Sequence, residues 1–167
     1  PVITSSATFS QNENTVITSA AADVTPTDPD GAGSFTHSIV GGVDEDAFTI
    51  NSATGQIFFA SLRNFESPGS ASNSNAYVID VQVTDTTTAA NGVLSSAVQT
   101  VTITVNDIND APTFSSGTSL SIAEGATSVD DVVASDADGN TIAYSIDSTG
   151  REDYALFSID TSTGALT

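Results

Sequence analysis

Cysteine, methionine, tryptophan and lysine are all absent from this chain, and each absence narrows what it can be. Without cysteine the chain has neither a disulfide framework nor a thiolate for metal binding or catalysis. The only basic side chains are Arg63 and Arg151, against 21 acidic residues, and the formal net charge is -19. Because nucleic acids and anionic membrane surfaces are repelled by such a charge, we expect neither as a partner.

Long apolar runs are also missing. No stretch approaches the roughly 20 consecutive apolar residues that a membrane helix requires, so we expect no membrane insertion. The chain is instead rich in valine, isoleucine, threonine and phenylalanine, which are typical of strands. Its 167 residues, 38% of them hydrophobic, are enough for one or two modest cores. A globular all-β protein is predicted.

Carboxylate and amide side chains are clustered directly after one predicted strand. Residues 101–105 alternate apolar and polar, which is typical of a strand with one buried face. Two carboxylates 4 Å apart repel by about 1 kcal/mol in water and about 4 kcal/mol at an effective dielectric near 20, so a cluster opposes folding unless a cation neutralises it. Oxygen ligands suit calcium, which binds about 6 to 8 of them. The residues of this cluster are Asp107, Asn109 and Asp110.

The chain aligns with itself at a spacing of about 110 residues, which indicates tandem modules. Glu13 and Glu124 are 111 residues apart, and Phe48 and Phe157 are 109 apart. We place the modules at residues 1–110 and 111–167. The second ends before the counterparts of the two long strands that close the first. Because Pro1 occupies the place that follows a linker, and is not an initiator methionine, we expect an excised piece with a module upstream.

Seven strands are predicted in the first module, and they indicate a β-sandwich. One short strand precedes Gln11, and the Gly-, Ser- and Asn-rich segment 67–75 is expected to be a surface loop. In the strand at 76–85 the side chains of Tyr77, Ile79, Val81 and Val83 share one face. The remaining five predicted strands are 15–20, 34–40, 47–51, 55–60 and 98–106.

The chain contains a set of acidic, aromatic and linker motifs, several of them in two copies. They are Glu13 and Glu124, Asp28-Pro29-Asp30 and Asp136-Ala137-Asp138, Phe48-Thr49-Ile50-Asn51 and Phe157-Ser158-Ile159-Asp160, Asn64-Phe65-Glu66, Asp85, and the linker Asp107-Ile108-Asn109-Asp110-Ala111-Pro112. These motifs resemble those of tandem cadherin-like repeats, particularly those of bacterial surface adhesins, and the resemblance covers the whole chain. It implies tandem seven-stranded Greek-key β-sandwiches of the immunoglobulin-like or cadherin-like kind, the second incomplete.

The resemblance also implies calcium ions at the junction of consecutive modules. Asn64 stands where the family usually has aspartate, which implies that one ion binds with lower affinity or is absent. The ions nearest the first module would be held by Glu13, Glu66, Asp110 and the carbonyl of Ile108. The ion nearest the second would be held by Asn109, the carbonyl of Ala111, Asp136 and Asp138, with Asp138 bridging. Asn64, Asp107 and Asn140 complete the candidate ligands, and Asp28, Asp30 and Asp85 would form half of an upstream junction.

Catalysis is not predicted. His37 is the only histidine and lies in a predicted strand, and nothing in the sequence identifies a nucleophile for a Ser-His-Asp triad. A glycosidase needs a pair of free carboxylates, whereas the clustered acids here belong to the metal pattern. The expectation is a protein that is not an enzyme.

The predicted function is that of a calcium-binding extracellular or cell-surface module pair, which serves cell adhesion or acts as a calcium-rigidified extender of a surface adhesin. Its expected partners are calcium ions and neighbouring repeats of the same parent chain. Two alternatives stay open. One is a module that recognises a polysaccharide or a homophilic protein partner. The other is a filament subunit completed by strand donation.

Overall fold

The structure is a computed structural model that describes residues 1–29, 33–86, 92–150 and 152–167. Asp30 and Arg151 lie outside these residues. The chain forms two compact units, Pro1–Ile108 (unit 1) and Asn109–Thr167 (unit 2). Both are built from strands, which confirms the all-β class. None of the described residues belongs to a helix with the length and apolarity needed to cross a bilayer.

Unit 1 is a sandwich of two sheets. The strands of unit 1 are β1 (Val2–Ile3), β2 (Thr8–Asn12), β3 (Ala22–Asp23), β4 (Pro26–Thr27), β5 (Phe35–Gly41), β6 (Phe48–Ile50), β7 (Gln56–Phe59), β8 (Ala76–Asp85) and β9 (Gln99–Asn106). One sheet has the order β2-β9-β8-β5, in which β2 runs parallel to β9 and the other pairs are antiparallel. The second sheet has the order β3-β7-β6, and β1 pairs with β4 separately.

The core lies between these two sheets, as the alternating sequence pattern predicts. Each inward side chain is at most 1% exposed on β8 and β9, and burial of a side chain of this size stabilises by about 1.5 to 3 kcal/mol. Phe48 and Phe59 of the smaller sheet meet Tyr77 edge-on, with ring centroids 5.9 and 5.2 Å from the Tyr77 centroid. The inward residues of β8 and β9 are Tyr77, Ile79, Val81, Val83, Val101, Ile103 and Val105.

Arg63 borders this aromatic cluster. Its guanidinium carbon lies 5.1 Å from the ring centroid of Phe59 and 5.3 Å from that of Tyr77, within the range of a cation–π interaction. One of its terminal nitrogens donates a hydrogen bond to Ser61 Oγ. Arg63, one of the two arginines of this acidic chain, therefore covers the edge of the core.

The strand predicted at residues 15–20 is wrong. The segment forms a turn, in which the backbone N–H of Ser19 donates to the carbonyl of Val16, and the short strand β3 follows at Ala22. Thr15 Oγ1 donates to the carbonyl of Asn12 at 2.7 Å, which bends the chain as β2 ends. The chain must cross here from one sheet to the other, and that requirement overrides the strand propensity of Val16 and Ile17.

The loop at residues 67–75 is anchored to the sandwich by Asp44. This buried carboxylate accepts the backbone N–H of Ala71 at 2.6 Å and that of Val78 at 2.8 Å. Ser70 is also buried, and its hydroxyl donates to the carbonyl of Ser74 at 2.7 Å. One acid therefore fixes both the loop and the start of β8.

Substitution of Asp44 by asparagine is expected to lower the free energy of unfolding of unit 1 by about 1 to 2 kcal/mol. The amide retains one acceptor but turns an N–H group towards the second backbone donor, which then lacks a partner. Asp46→Asn is the matched control, since Asp46 is exposed on the adjoining 3-10 helix and the charge change is the same. Urea denaturation of both variants measures the difference, and equal losses would contradict the anchoring role.

Unit 2 repeats part of this architecture with short strands. β10 pairs with β12 and β11 with β13, both antiparallel. Gly164 is its only buried residue among those that the structure describes. In the turn before β13, the backbone N–H groups of Thr163 and Ser162 donate to Asp160 and lower the pKa of its carboxyl group. The strands are β10 (Thr113–Phe114), β11 (Asp130–Asp131), β12 (Ala134–Ser135) and β13 (Ala165–Leu166).

Candidate metal centre

The parallel pairing of β2 with β9 places two predicted ligands side by side. Asn12 is in register with Asn106 at the ends of these strands, so the next residues are Glu13 and Asp107. The N–H of Glu13 donates to the carbonyl of Asn106 at 3.0 Å, which extends the pairing by one residue. Residues about 95 positions apart in sequence thus meet at one end of unit 1.

Glu13 is the buried centre of this arrangement, with only 2% of its surface exposed. One carboxylate oxygen accepts the backbone N–H of Ile108 at 2.9 Å, and the other accepts that of Phe65 at 2.9 Å. Hydrogen bonds from backbone N–H groups to a carboxylate are shorter and stronger than those between neutral groups. The side chain therefore ties the segment 62–66 and the end of β9 to the end of β2.

Three carboxylates converge at this point. Glu13, Glu66 and Asp107 each offer one oxygen, and these oxygens lie within 4.8 Å of one another. Calcium binds oxygen at about 2.3 to 2.6 Å, so two ligands of one ion lie at most about 5 Å apart. The three side chains fit that limit. Each has a hard oxygen donor, which is the chemistry that calcium prefers.

In unit 2 the structure brings the predicted loop and linker residues together. Asp136 accepts the backbone N–H groups of Asp138 and Asn140, at 3.1 and 3.0 Å, on a single carboxylate oxygen. Asp138 accepts the N–H of Asp110 at 2.6 Å, and Asn140 donates to the side-chain oxygen of Asn109 at 2.7 Å. This network positions five of the predicted ligands.

The remaining candidates have other surroundings. Asn64 accepts the N–H of Ser67 at 2.6 Å, so its side-chain oxygen shapes a turn. Asp28 lies 3.0 Å from the amino group of Pro1, and the backbone of Asp85 pairs with Leu94. Ala111 is exposed, and Asp30 lies outside the described residues. Their role as ligands stays a prediction.

The sequence does not indicate two of the contacts described above, one at the metal centre and one at the loop 67–75. The backbone N–H groups of Phe65 and Ile108 hold Glu13, although only side chains and two carbonyls had been considered. Asp44 was not singled out either, because it stands in an acidic run with Glu45 and Asp46 that is typical of a solvated turn. The only indication of this role of Asp44 in the sequence is that a long strand preceded by a loop needs a group that holds the loop in place.

Comparison with known proteins gives consistent results. Residues 7–106 match the family model of the cadherin domain. Human Protocadherin Fat 1 is 38% identical to the chain over 120 residues, which is 67% of this chain and 2% of that protein. The chain therefore spans only a small part of this relative's length.

Solved structures show the same fold. The crystal structure of mouse Cadherin-23 EC22-24 is similar with a TM-score of 0.52 and 26% identity, over 100% of this chain and 53% of that chain. The crystal structure of mouse Protocadherin-24 EC1-3 has a TM-score of 0.55 and 24% identity, over 95% of this chain and 53% of that one. Since the family model matches more than half of its residues, the chain belongs to the cadherin domain family.

Proposed function

We propose that this chain is a calcium-binding, extracellular pair of cadherin modules that serves cell adhesion or extends a surface adhesin. The observation that carries the proposal is the convergence of Glu13, Glu66 and Asp107 at the end of unit 1. These three residues would hold the ion, and the positive charge of calcium would offset the repulsion between their carboxylates. The family match supports an adhesive role outside the cell.

The protein's own residues prepare the site. Because Glu13 is held by two backbone N–H groups, its carboxylate is positioned before any ion binds, which reduces the entropy lost on binding. Glu66 and Asp107 are exposed, so an ion can reach them from solvent. Extracellular modules bind calcium with dissociation constants of about 10⁻⁴ to 10⁻³ M, and such a site responds to the calcium of the medium.

The predicted ligands of the linker and of unit 2 belong to the same proposal. Asp110, Asp136 and Asp138, with Asn109 and Asn140, supply further oxygens, and Asp107 to Ala111 connect the two units. Calcium bound along this linker would stiffen it. The resemblance at the sequence level supports this step, and the hydrogen bond from the N–H of Asp110 to Asp138 shows that two of these predicted ligands lie close together within unit 2.

Calcium is expected to raise the melting temperature of the chain, and calorimetry with calcium or with a chelator measures the shift. A ligand at 100 times its dissociation constant stabilises by about 2.7 kcal/mol, which shifts the melting temperature by about 10 to 20 °C in a domain of about 100 residues. Glu66→Gln is expected to reduce the calcium response, whereas Glu45→Gln, an exposed change outside the cluster, leaves it intact. An unchanged melting temperature in about 10 mM calcium, which is ten times the weakest dissociation constant expected, would exclude the site.

The source of the parent protein and its specific partner stay predictions. A bacterial source was expected from the sequence, while the relatives named above are human and mouse proteins. Recognition of a polysaccharide or of a homophilic partner, and assembly into a filament, are the alternatives that remain. Sedimentation and glycan binding in the presence of calcium distinguish them from an extender.

A further inference from the structure

The residue before Glu66 is held by the side chains of two distant residues. The backbone N–H of Phe65 donates to a carboxylate oxygen of Glu13 at 2.9 Å. The carbonyl of the same residue accepts a hydrogen bond from Nδ2 of Asn75, also at 2.9 Å. Glu66 itself is exposed, so contacts of the backbone next to it, and not burial of its side chain, fix the place from which its carboxylate projects.

Asn75 also contacts the strand that leads to Asp107. It directly precedes β8, and its own carbonyl accepts the backbone N–H of Val105 at 2.8 Å. Val105 lies on β9, two residues before Asp107. Two hydrogen bonds of one residue therefore join the backbone next to Glu66 to the strand that leads to Asp107. The separation of these two carboxylates depends on both bonds.

The beginning of the segment 62–66 is held independently of Asn75. The N–H of Asn14 donates to the carbonyl of Arg63 at 2.9 Å. The guanidinium group of Arg63 packs over two aromatic rings of the core. Loss of the contact with Asn75 would therefore loosen the end of the segment that bears Glu66, while the beginning stays attached to unit 1.

One polar atom of Asn75 contributes no hydrogen bond to the fold. Its Oδ1 is buried and has no hydrogen-bond partner among the residues that the structure describes. A buried acceptor without a partner destabilises a protein, and such departures from the rules of folding concentrate at functional sites. The carbonyl of Phe65 explains the arrangement. Because a carbonyl can only accept, the amide must turn Nδ2 towards it and Oδ1 away from it.

We propose that Asn75 is a positioning residue for calcium binding in unit 1. By holding the carbonyl of Phe65, it fixes Glu66 relative to Asp107 and so sets the affinity of the three-carboxylate cluster that includes Glu13. Metal ligands must be placed to within about 0.5 Å, and hydrogen bonds from neighbouring residues provide this precision. The inference rests on the proposed function, and Asn75 acts through Glu66 without being a ligand.

Replacement of Asn75 by leucine tests the inference, because leucine has a similar size but no N–H group. Calcium is titrated into the whole chain, and the amide resonances of Phe65 and Ile108 report the dissociation constant. We expect binding about tenfold weaker than in the unmodified chain, at the lower end of the effect of losing a residue that orients a ligand. The titration is carried out well below the melting temperature, so that altered stability does not enter the dissociation constant. An unchanged constant would overturn the proposal.

Asn73→Gly is the matched control in the same loop. Asn73 is exposed and has a φ of +52°, a conformation that glycine adopts freely. Its substitution should leave the dissociation constant within about twofold of that of the unmodified chain. An equally large loss of affinity in Asn73→Gly and Asn75→Leu would show that any change in the loop weakens binding. Asn75 would then have no specific role.

Asn75→Gln tests whether the N–H donor is responsible. Glutamine carries the same amide on a side chain that is one methylene longer, so it can still donate to the carbonyl of Phe65. Its dissociation constant should lie between those of the unmodified chain and Asn75→Leu. Equal constants for the glutamine and leucine variants would contradict the proposed hydrogen bond.

Amide hydrogen exchange in the presence of a chelator provides a readout that requires no calcium. In Asn75→Leu the N–H of Phe65 should exchange about 2- to 10-fold faster, because one hydrogen bond no longer holds its peptide segment. The amides of Ile79 and Ile103, in the centre of β8 and β9, should exchange at unchanged rates. Equal acceleration at all three positions would mean that Asn75 supports the fold as a whole, and the positioning role would be wrong.

These measurements separate failure of this inference from failure of the proposed function. If the unmodified chain does not bind calcium, the proposed function is wrong and the inference is wrong with it. If the unmodified chain binds calcium and Asn75→Leu binds it equally well, only the inference is wrong. Weaker binding together with faster exchange at Phe65 alone supports both.

Discussion

Replacement of Glu13 by alanine is expected to lower the free energy of unfolding of unit 1 by about 2 to 6 kcal/mol. The change removes the buried carboxylate that accepts the partly buried N–H groups of Phe65 and Ile108. Each buried donor that loses its partner costs about 1 to 3 kcal/mol. The relief of repulsion between Glu13 and its two neighbouring carboxylates offsets part of this loss when calcium is absent.

Two further variants separate the structural role of Glu13 from its role as a ligand. Glu13→Gln retains an acceptor and should destabilise unit 1 less than alanine does, but it should still lose calcium affinity because the amide carries no charge. Glu45→Ala, an exposed change in the same unit, should alter stability by less than about 0.5 kcal/mol.

Denaturant unfolding should be followed through the amide resonances of β8 and β9, so that unit 1 is measured by itself. In Glu13→Ala the midpoint should be low with or without calcium. A stability within about 0.5 kcal/mol of that of the unmodified chain would show that Glu13 does not hold the segment 62–66 and the end of β9 together.

Substitution of Gly55 by alanine is the second change with a large expected effect, a loss of about 2 to 5 kcal/mol. Gly55 has a φ of +80°, and a Cβ at this position would overlap with the carbonyl oxygen of Val24 and lie 2.9 Å from the His37 ring. The left-handed conformation costs a residue other than glycine about 1 to 2 kcal/mol, and forced repacking adds about 1 to 3 kcal/mol.

Gly92→Ala provides a close control for this prediction. Gly92 has nearly the same φ, +81°, but a Cβ there meets no atom within 4 Å. Its substitution should therefore cost only the conformational term, about 1 to 2 kcal/mol. Thermal or urea unfolding of both variants yields the difference. Equal losses would mean that the close approach of Gly55 to Val24 contributes nothing to stability.

Much of the fold could be predicted because its signals are local. The alternation of side chains in residues 76–85 and 101–105 indicates strands with one buried face each, and the structure confirms their inward side chains. The glycine that ends the turn before β7 has the positive φ expected of a tight turn. The prediction of a strand at residues 15–20 was wrong because the path of the chain between two sheets depends on contacts between residues far apart in sequence, which a local pattern does not indicate.

The sequence by itself determined the all-β class and the acidic residue types that suit a hard cation. Composition, period and spacing are carried by neighbours along the chain, so one sequence suffices to recognise them. Only the tertiary structure decided that Glu13, Glu66 and Asp107 meet and that Glu13 is held by two backbone N–H groups. The physical reason is that parallel pairing and sheet packing join residues far apart in sequence, and no local pattern encodes those distances.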